Sequence, residues 1–289
     1  MSQTIFITGS STGLGRAAAR LFAERGWKVI ATMRRPENAT ELTGVSGITV
    51  LPLDVTDRAQ IETAARQAVE LGGVDVLFNN AGYGLAGPLE GVSDEKLTRQ
   101  METNLLGVIR TTQAFLPHFR ERQAGLIITT TSIGGLMTFP FNSVYHATKW
   151  ALEGWSESMA FELAPHNIRI KTVSPGGIKT DFAGRSLDLV AHPAYAEQLQ
   201  KVFAVFRDPA RAAQASSAEQ IAKVVYEAAT DDRDQLRYVA GEDAKAMYAQ
   251  RQAAGPEAAR KAIGAAFFGS KSPASSAATA PGAPVASVA

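Results

Sequence analysis

The sequence predicts an α/β protein: a doubly wound parallel sheet with helices on both faces, in three-layer α/β/α order. Strand-like and helix-like segments alternate through most of its length. The first strand-like run, Thr4 to Thr8, carries Ile5, Phe6 and Ile7 in succession, as a strand covered on both faces does. The turn after it holds three glycines and opens a helix, the junction expected at the edge of such a sheet.

The elements follow in order. Arg16 to Arg25 has helical spacing at Ala17 and Leu21 and stops at Gly26, a residue suited to the left-handed position after a helix. Lys28 to Thr32, Ile48 to Leu53 and Val74 to Phe78 read as the second, third and fourth strands. Ser93 begins a long helical stretch through Leu97, Met101, Leu105 and Val108 to Phe119. Leu126 to Thr131 is a β-branched strand, Ser143 to Leu163 a helix, and Ile168 to Val173 another strand. Ser216 to Glu219 has the form of a capping box before a helix through Ile221, Val224 and Val225. Residues 1–268 are expected to form one domain, with a lid over about 181–215. Residues 269–289, rich in Ala, Ser and Pro, are expected to form a disordered tail.

Composition narrows the function classes. Apolar residues are 45% and charged residues 20% of 289, enough for a sizeable core. With 29 Lys plus Arg against 28 Asp plus Glu, the net charge of +1 points to neither a nucleic-acid nor a membrane-surface partner. The absence of cysteine excludes disulfides and thiolate chemistry, and the four His residues lack metal-ligand spacing. No signal peptide and no apolar run of spanning length is seen, so a cytoplasmic location is expected.

Candidate functional residues fall after the strands. In Thr8-Gly9-Ser10-Ser11-Thr12-Gly13-Leu14-Gly15, glycines allow close backbone approach to a phosphate, and a helix N-terminus offers free N–H groups. Ser10, Ser11 and Thr12 can add hydroxyl donors. Asp54 could accept from an adenine edge or cap the next helix, a role Asp57 could also fill. Tyr145 and Lys149 lie four apart on a predicted helix, hence on one face. A neighbouring ammonium would lower the phenol pKa and make the pair a proton donor and acceptor. Ser132, thirteen residues before Tyr145, could bond a substrate oxygen or be an ordinary turn serine. Asn104 could hold a proton-relaying water or face solvent.

In its motifs the sequence resembles the short-chain dehydrogenase/reductase family in its compact single-domain form. The matching residues are Thr8-Gly9-x-x-x-Gly13-x-Gly15, Asp54, Asn79-Asn80-Ala81-Gly82, Asn104, Ser132, Tyr145-x-x-x-Lys149 and Pro175-Gly176. They stand in the family's order and spacing, over roughly Gln3 to Thr180. The resemblance implies a Rossmann fold and an enzyme that interconverts a carbonyl and an alcohol with a nicotinamide cofactor. By that resemblance Tyr145 would be the catalytic acid/base, and Lys149 would bind the nicotinamide ribose and tune Tyr145. Ser132 would orient the substrate oxygen, and Asn104 would support a proton relay. Gly9, Ser11, Thr12, Gly13, Leu14 and Gly15 would cradle the pyrophosphate. Asn80, Ala81 and Gly82 would line the cofactor cleft, with Pro175, Gly176 and Ile178 flanking the nicotinamide and Thr180 at its carboxamide or at the pyrophosphate.

The expected cofactor is NADP(H). NAD-specific members usually carry an acid after the second strand, where this chain has Met33 followed by Arg34 and Arg35. Either arginine could pair with a 2′-phosphate. Thr32-Met33-Arg34 resembles the cofactor turn of the hydroxysteroid branch. The tyrosine–lysine spacing differs from the enoyl-reductase branch, and the glycine spacing from the epimerase-like one. A cofactor-binding regulator or an epimerase or dehydratase on the same site are the alternatives. The substrate is expected to be a bulky, mainly apolar ketone, aldehyde or alcohol. Phe182, Leu187, Leu189, Val190, Tyr195, Leu199, Val202, Phe203 and Phe206 would line the lid, with Met137, Phe139, Phe141 and Leu85 nearer the reacting carbon. The same stripe could instead seal the core. Arg185, Lys201 and Arg207 leave room for an acidic group at the substrate's far end. Leu106, Trp150 and Trp155 on the two long helices suggest a homodimer or homotetramer.

Overall fold

The computed structural model describes residues 2–38, 40–179 and 187–269. Thr180, Phe182 and Arg185, expected at the cofactor site and lid, and the tail beyond Gly269 lie outside the described residues.

Seven strands form the central sheet: β1 (Thr4–Ile7), β2 (Lys28–Met33), β3 (Ile48–Pro52), β4 (Val76–Asn79), β6 (Gly125–Thr130), β7 (Ile168–Pro175) and β11 (Arg237–Ala240). Their spatial order is β11-β7-β6-β4-β1-β2-β3, and every neighbouring pair is parallel. The alternating pattern of strands and helices produces this because a parallel pair needs a crossover between its members.

The apolar strands explain the layers. Ile5 and Ile7 face one side, packed with Ala18 and Phe22 of α1 (Gly13–Glu24) and Ile221 and Val225 of α8 (Ala218–Thr230). Phe6, between them, faces the other side with Leu77, Ile127, Phe115 and Phe119. That second face is covered by α2 (Arg58–Glu70), α4 (Gly107–Arg122) and α5 (Ser143–Leu163). Side chains alternate across a strand, so a run without polar breaks requires a helix layer on each side. Each of the large apolar side chains among these contributes about 1.5–3 kcal/mol by leaving water.

Chain order reverses at β1. The chain winds outward to β2 and β3, then returns to β4 on the other side of β1. The loops leaving β1 and β4 therefore diverge around a crevice at their carboxyl ends, the position where doubly wound sheets take ligands. Two short pairings lie outside the main sheet: β5 (Gly84–Ala86) with β9 (Leu187–Leu189), and β8 (Ile178–Lys179) with β10 (Ser216–Ser217). The remaining helices are α3 (Asp94–Met101), α6 (Ala196–Phe206), α7 (Pro209–Gln214), α9 (Glu242–Ala254) and α10 (Pro256–Phe268).

Three local expectations are corrected. The long helix from Ser93 is α3 and α4 joined by a π-helical turn, Glu102–Leu106, with Asn104 at its centre. The capping box is Ser217 with Gln220, one residue later than expected, because Ser216 is committed to β10 beside Ile178. Asp57, not Asp54, caps α2.

Candidate active site

The crevice is shaped first by β1 and its loop. Gly9 and Gly13 take φ of 70° and 54°, which L side chains rarely adopt. A Cβ on Gly15 would lie 2.3 Å from the Gly9 carbonyl oxygen and 2.6 Å from Asn80 Nδ2, so the loop and the start of α1 touch backbone to backbone. Thr8 Oγ1 accepts the N–H groups of Asn80 and Ala81 at 2.9 and 3.0 Å, and Asn80 Nδ2 donates to the Thr8 and Gly9 carbonyls at 3.1 Å each. The two loops are thus cross-braced. Ser10 departs from expectation: it is fully buried and its hydroxyl donates to Ile7 O, so it offers the crevice nothing. Ser11 is exposed, and Thr12 precedes α1 with no side-chain cap and no acid in the first turn. The N-terminal N–H groups around Gly13 and Leu14 thus lack a side-chain cap and keep their partial positive charge.

At the ends of β2 and β3, Arg34 and Arg35 are exposed and have no hydrogen bond or ion pair among the described residues. Asp54 uses Oδ1 to accept from Thr56 N–H and hydroxyl at 3.0 and 2.8 Å, which leaves Oδ2 available. These features suit an adenine dinucleotide: an uncapped helix start and glycine backbone for phosphate, free guanidinium groups at the ribose end.

The second cluster forms where β6 and β7 end. Ser132 starts the turn Ile133–Gly135, accepting the Gly134 N–H at 2.9 Å, and its hydroxyl lies beside the Tyr145 phenol, near enough to favour the phenolate. Lys149, one turn further along α5, is buried and donates from Nζ to Thr130 O at 2.8 Å. Its Nζ stands 5.9 Å from the centre of the Tyr145 ring. Burial pushes the Tyr145 phenol above its usual 10, and the neighbouring Ser132 hydroxyl only partly opposes this. The expected lowering by Lys149 is therefore not the dominant effect: the ammonium is turned to Thr130, and desolvation outweighs it. Lys149 itself is pulled down to about 8 by burial, against the field of Glu153. His146, buried beside Tyr145, is pushed down to about 4 by desolvation and is neutral at neutral pH.

Asn104 is brought to the same region but is neither solvent-facing nor free. Fully buried, its Oδ1 accepts from Tyr83 N–H at 3.0 Å and its Nδ2 donates to Tyr83 O at 2.8 Å. The side chain clamps the strand of chain after Gly82; any water held here would have to bind other atoms of the π-turn. Pro175 and Gly176 close β7, where a Cβ on Gly176 would meet Asp243 Oδ2 at 2.3 Å and Gly177 N–H donates to that oxygen at 2.8 Å. Ile178 follows in β8.

The apolar residues expected to surround a substrate divide into two groups. Leu85 and Val190 pack with Val144 into a closed apolar cluster, and Leu199 and Val202 are buried. Phe139 and Phe206, by contrast, stack under the Arg211 guanidinium at 5.5 and 5.1 Å beside Phe267. Lys201 is paired with Glu197, and the Arg207 guanidinium lies over the Phe203 ring. Among the described residues no group of His, Asp or Glu side chains is placed to hold a metal ion, and no helix is long and apolar enough to cross a membrane.

A short chain dehydrogenase profile matches residues 3–188, from β1 through the whole tyrosine–lysine cluster. The chain belongs to the short-chain dehydrogenase/reductase family. It is 36% identical over 251 residues to oxidoreductase BOA17 of Botryotinia fuckeliana, covering 84% of this chain and 90% of that protein. It is 34% identical over 260 residues to human 17-beta-hydroxysteroid dehydrogenase type 1, covering 82% of this chain and 77% of that one. Among solved structures, a short-chain dehydrogenase from Streptomyces avermitilis superposes with a TM-score of 0.80 at 33% identity, over 88% of this chain and 93% of the other. ElxO with NADP bound superposes with a TM-score of 0.67 at 26% identity, over 83% and 98%. The protein is accordingly a Rossmann-fold oxidoreductase of a family that uses nicotinamide cofactors.

Sequence reasoning missed Glu153, although it continues the spacing of four from Tyr145 and Lys149. It also missed Tyr83, Gln100 and Thr130, which act through backbone atoms or distant partners and leave no local signature.

Proposed function

We propose that this protein is an NADP(H)-dependent oxidoreductase that interconverts a carbonyl and an alcohol on a mainly apolar small molecule. The observation that carries the reading is Tyr145 and Lys149 on one face of α5 at the end of the crevice, with the Lys149 ammonium 5.9 Å from the Tyr145 ring centre and the Ser132 hydroxyl beside the phenol. A bound nicotinamide supplies the hydride; the protein has only to position the substrate and manage one proton. Ser132 orients the substrate oxygen. Tyr145, held protonated by burial, gives its proton to that oxygen in reduction and takes it back in oxidation. Lys149 binds the ribose hydroxyls and offsets the charge left on Tyr145.

Gly9, Ser11, Thr12, Gly13, Leu14 and Gly15 hold the pyrophosphate, and Asp54 Oδ2 meets the adenine edge. Asn80, Ala81 and Gly82 line the cleft, and Pro175, Gly176, Ile178 and Thr180 complete the nicotinamide side. Arg34, with Arg35 beside it, takes the 2′-phosphate. The exposed Phe161 and Trp150, eleven residues apart and so on nearly one line of α5, support pairing of two copies through this helix. Light scattering at micromolar concentration checks that pairing; Trp155 does not contribute, because it packs against the core.

The deciding experiment incubates the purified protein with NADPH and a graded set of ketones and aldehydes, then repeats it with Tyr145→Phe. Turnover that rises with apolar size, and falls at least about 100-fold in the variant while NADPH still binds, is expected. A variant retaining most of its activity refutes the mechanism, and a preference for sugars refutes the apolar pocket.

A further inference from the structure

We propose that Glu153 is a positioning residue that acts through Lys149: it is the buried counter-ion that keeps the ammonium on the Tyr145 face of α5. The inference rests on the reading of Tyr145 and Lys149 given above, and it assigns a role to a group that the proton transfer itself does not use.

Tyr145, Lys149 and Glu153 stand at intervals of four, so they form one ridge of α5. Lys149 is 5% exposed, and among the described residues Thr130 O is its hydrogen-bond acceptor. A single neutral carbonyl is a poor replacement for water around a charge, so a lysine with no other support would give up its proton. Glu153, 4% exposed, is the charge that opposes this.

The carboxylate is itself built in. Its Oε1 accepts from the Thr131 and Ser174 hydroxyls at 2.5 and 2.9 Å, and its Oε2 from the Thr172 hydroxyl at 3.2 Å and Arg237 Nε at 3.0 Å. These donors come from β7, from β11 and from the residue just after β6. Four donors, three hydroxyls and one guanidinium, match the acceptor capacity of an ionised carboxylate. The arrangement is a relay of alternating charge: Glu157, Arg237, Glu153, Lys149, then the phenol of Tyr145.

Other charged groups near α5 are otherwise engaged. Glu102 in the π-turn pairs with Arg110, and Arg99 of α3 lies over Tyr83. Lys171 of β7 pairs with Asp231. His146 is neutral. Asp243 accepts from Gly177 N–H beyond the Pro175–Gly176 turn, with Arg211 in its field. Glu153, one turn along α5 from Lys149 and not in direct contact with it, acts on the ammonium through its field.

A brace that merely ties α5 to the sheet would need the hydrogen bonds and not the charge, which separates the two roles experimentally. NADPH binding is followed by nicotinamide fluorescence across pH 6 to 10, without turnover, alongside kcat/KM for carbonyl reduction. The wild-type alkaline limb is expected near pH 8. Glu153→Gln is expected to move it down by about one pH unit, and Glu153→Asp to return it toward wild type. Arg237→Met removes the cation on the far side of Glu153 and is expected to move the limb up. A structural defect would weaken both variants without moving the limbs in opposite directions. An unmoved limb in Glu153→Gln, or shifts of the same sign in both variants, overturns the proposal. Should Glu153→Gln fail to fold, the upward shift in Arg237→Met decides, since it reads the same carboxylate. If the NADPH-binding limbs move as expected but no carbonyl is reduced, the proposed reaction fails and the role of Glu153 stands.

Discussion

Replacing Asn104 with alanine tests whether its side chain works on the backbone or on the reacting groups. In the native arrangement Asn104 satisfies both the N–H and the C=O of Tyr83 from a fully buried position. Alanine removes both bonds, but the loss is unequal. Tyr83 O keeps a second donor, Gln100 Nε2 at 3.1 Å. Its N–H has no other partner among the described residues, and a donor left unmet away from water costs about 1–3 kcal/mol. A loss of about 2 kcal/mol corresponds to a fall in Tm of about 4–8 °C for a chain of this size. The same change frees Gly82, which Asn104 Oδ1 backs at 3.2 Å from where a Cβ would be. KM for NADPH is therefore expected to rise together with the fall in Tm, read by differential scanning fluorimetry and initial rates on one preparation. Asn104→Ala with wild-type Tm and wild-type KM but a collapsed kcat would refute this reasoning. It would assign the amide to the chemistry instead of to Tyr83.

Three further outcomes are expected. Arg34→Ala should weaken NADPH binding about tenfold and leave NADH nearly unchanged, since the guanidinium is exposed, without a partner among the described residues, and placed after β2 where a 2′-phosphate would lie; titration of both nucleotides checks it. Gly15→Ala should abolish cofactor binding, because its Cβ would fall 2.3 Å from Gly9 O, a backbone atom that cannot swing away; fluorescence titration with a thermal melt separates this from unfolding. Acid should cost stability through Asp231. Desolvation raises this carboxyl, but bonds from Lys171, Arg233 and Tyr238 outweigh it and hold it at about 2, below the usual 3.8. A group depressed on folding stabilises above its unfolded pKa and loses that contribution as pH falls through the folded one. About 1–2 kcal/mol, allowing for screening at its open rim, should thus vanish between pH 4 and pH 2. Urea midpoints across that range should show a smaller loss in Asp231→Asn.

Much of the site was legible because its signals are local. The glycines of the first loop have to be where the backbone turns, and Tyr145 and Lys149 share a face by helical spacing alone. The unbroken apolar run of β1 implies two covering layers without any knowledge of partners. The reading failed where a residue's role is set by something far away in sequence. Ser10 looks like its neighbours Ser11 and Thr12, yet its hydroxyl is captured by Ile7 O. The helix from Ser93 looks continuous, because a π-turn keeps the apolar rhythm while adding a residue to one turn. Short pairings such as β8 with β10 have too few residues to show a period.

By itself, the sequence determined the layered α/β order, the glycine loop, the tyrosine–lysine pair and the missing acid after β2, all features of composition and short-range spacing. Only the tertiary structure decided which strands neighbour β1, and hence where the crevice opens. It also decided that burial, rather than Lys149, dominates the Tyr145 phenol, and that Glu153 meets Arg237 from β11, 84 residues away. The physical reason is that desolvation and charge pairing depend on what surrounds a group in space, and local spacing carries no record of that.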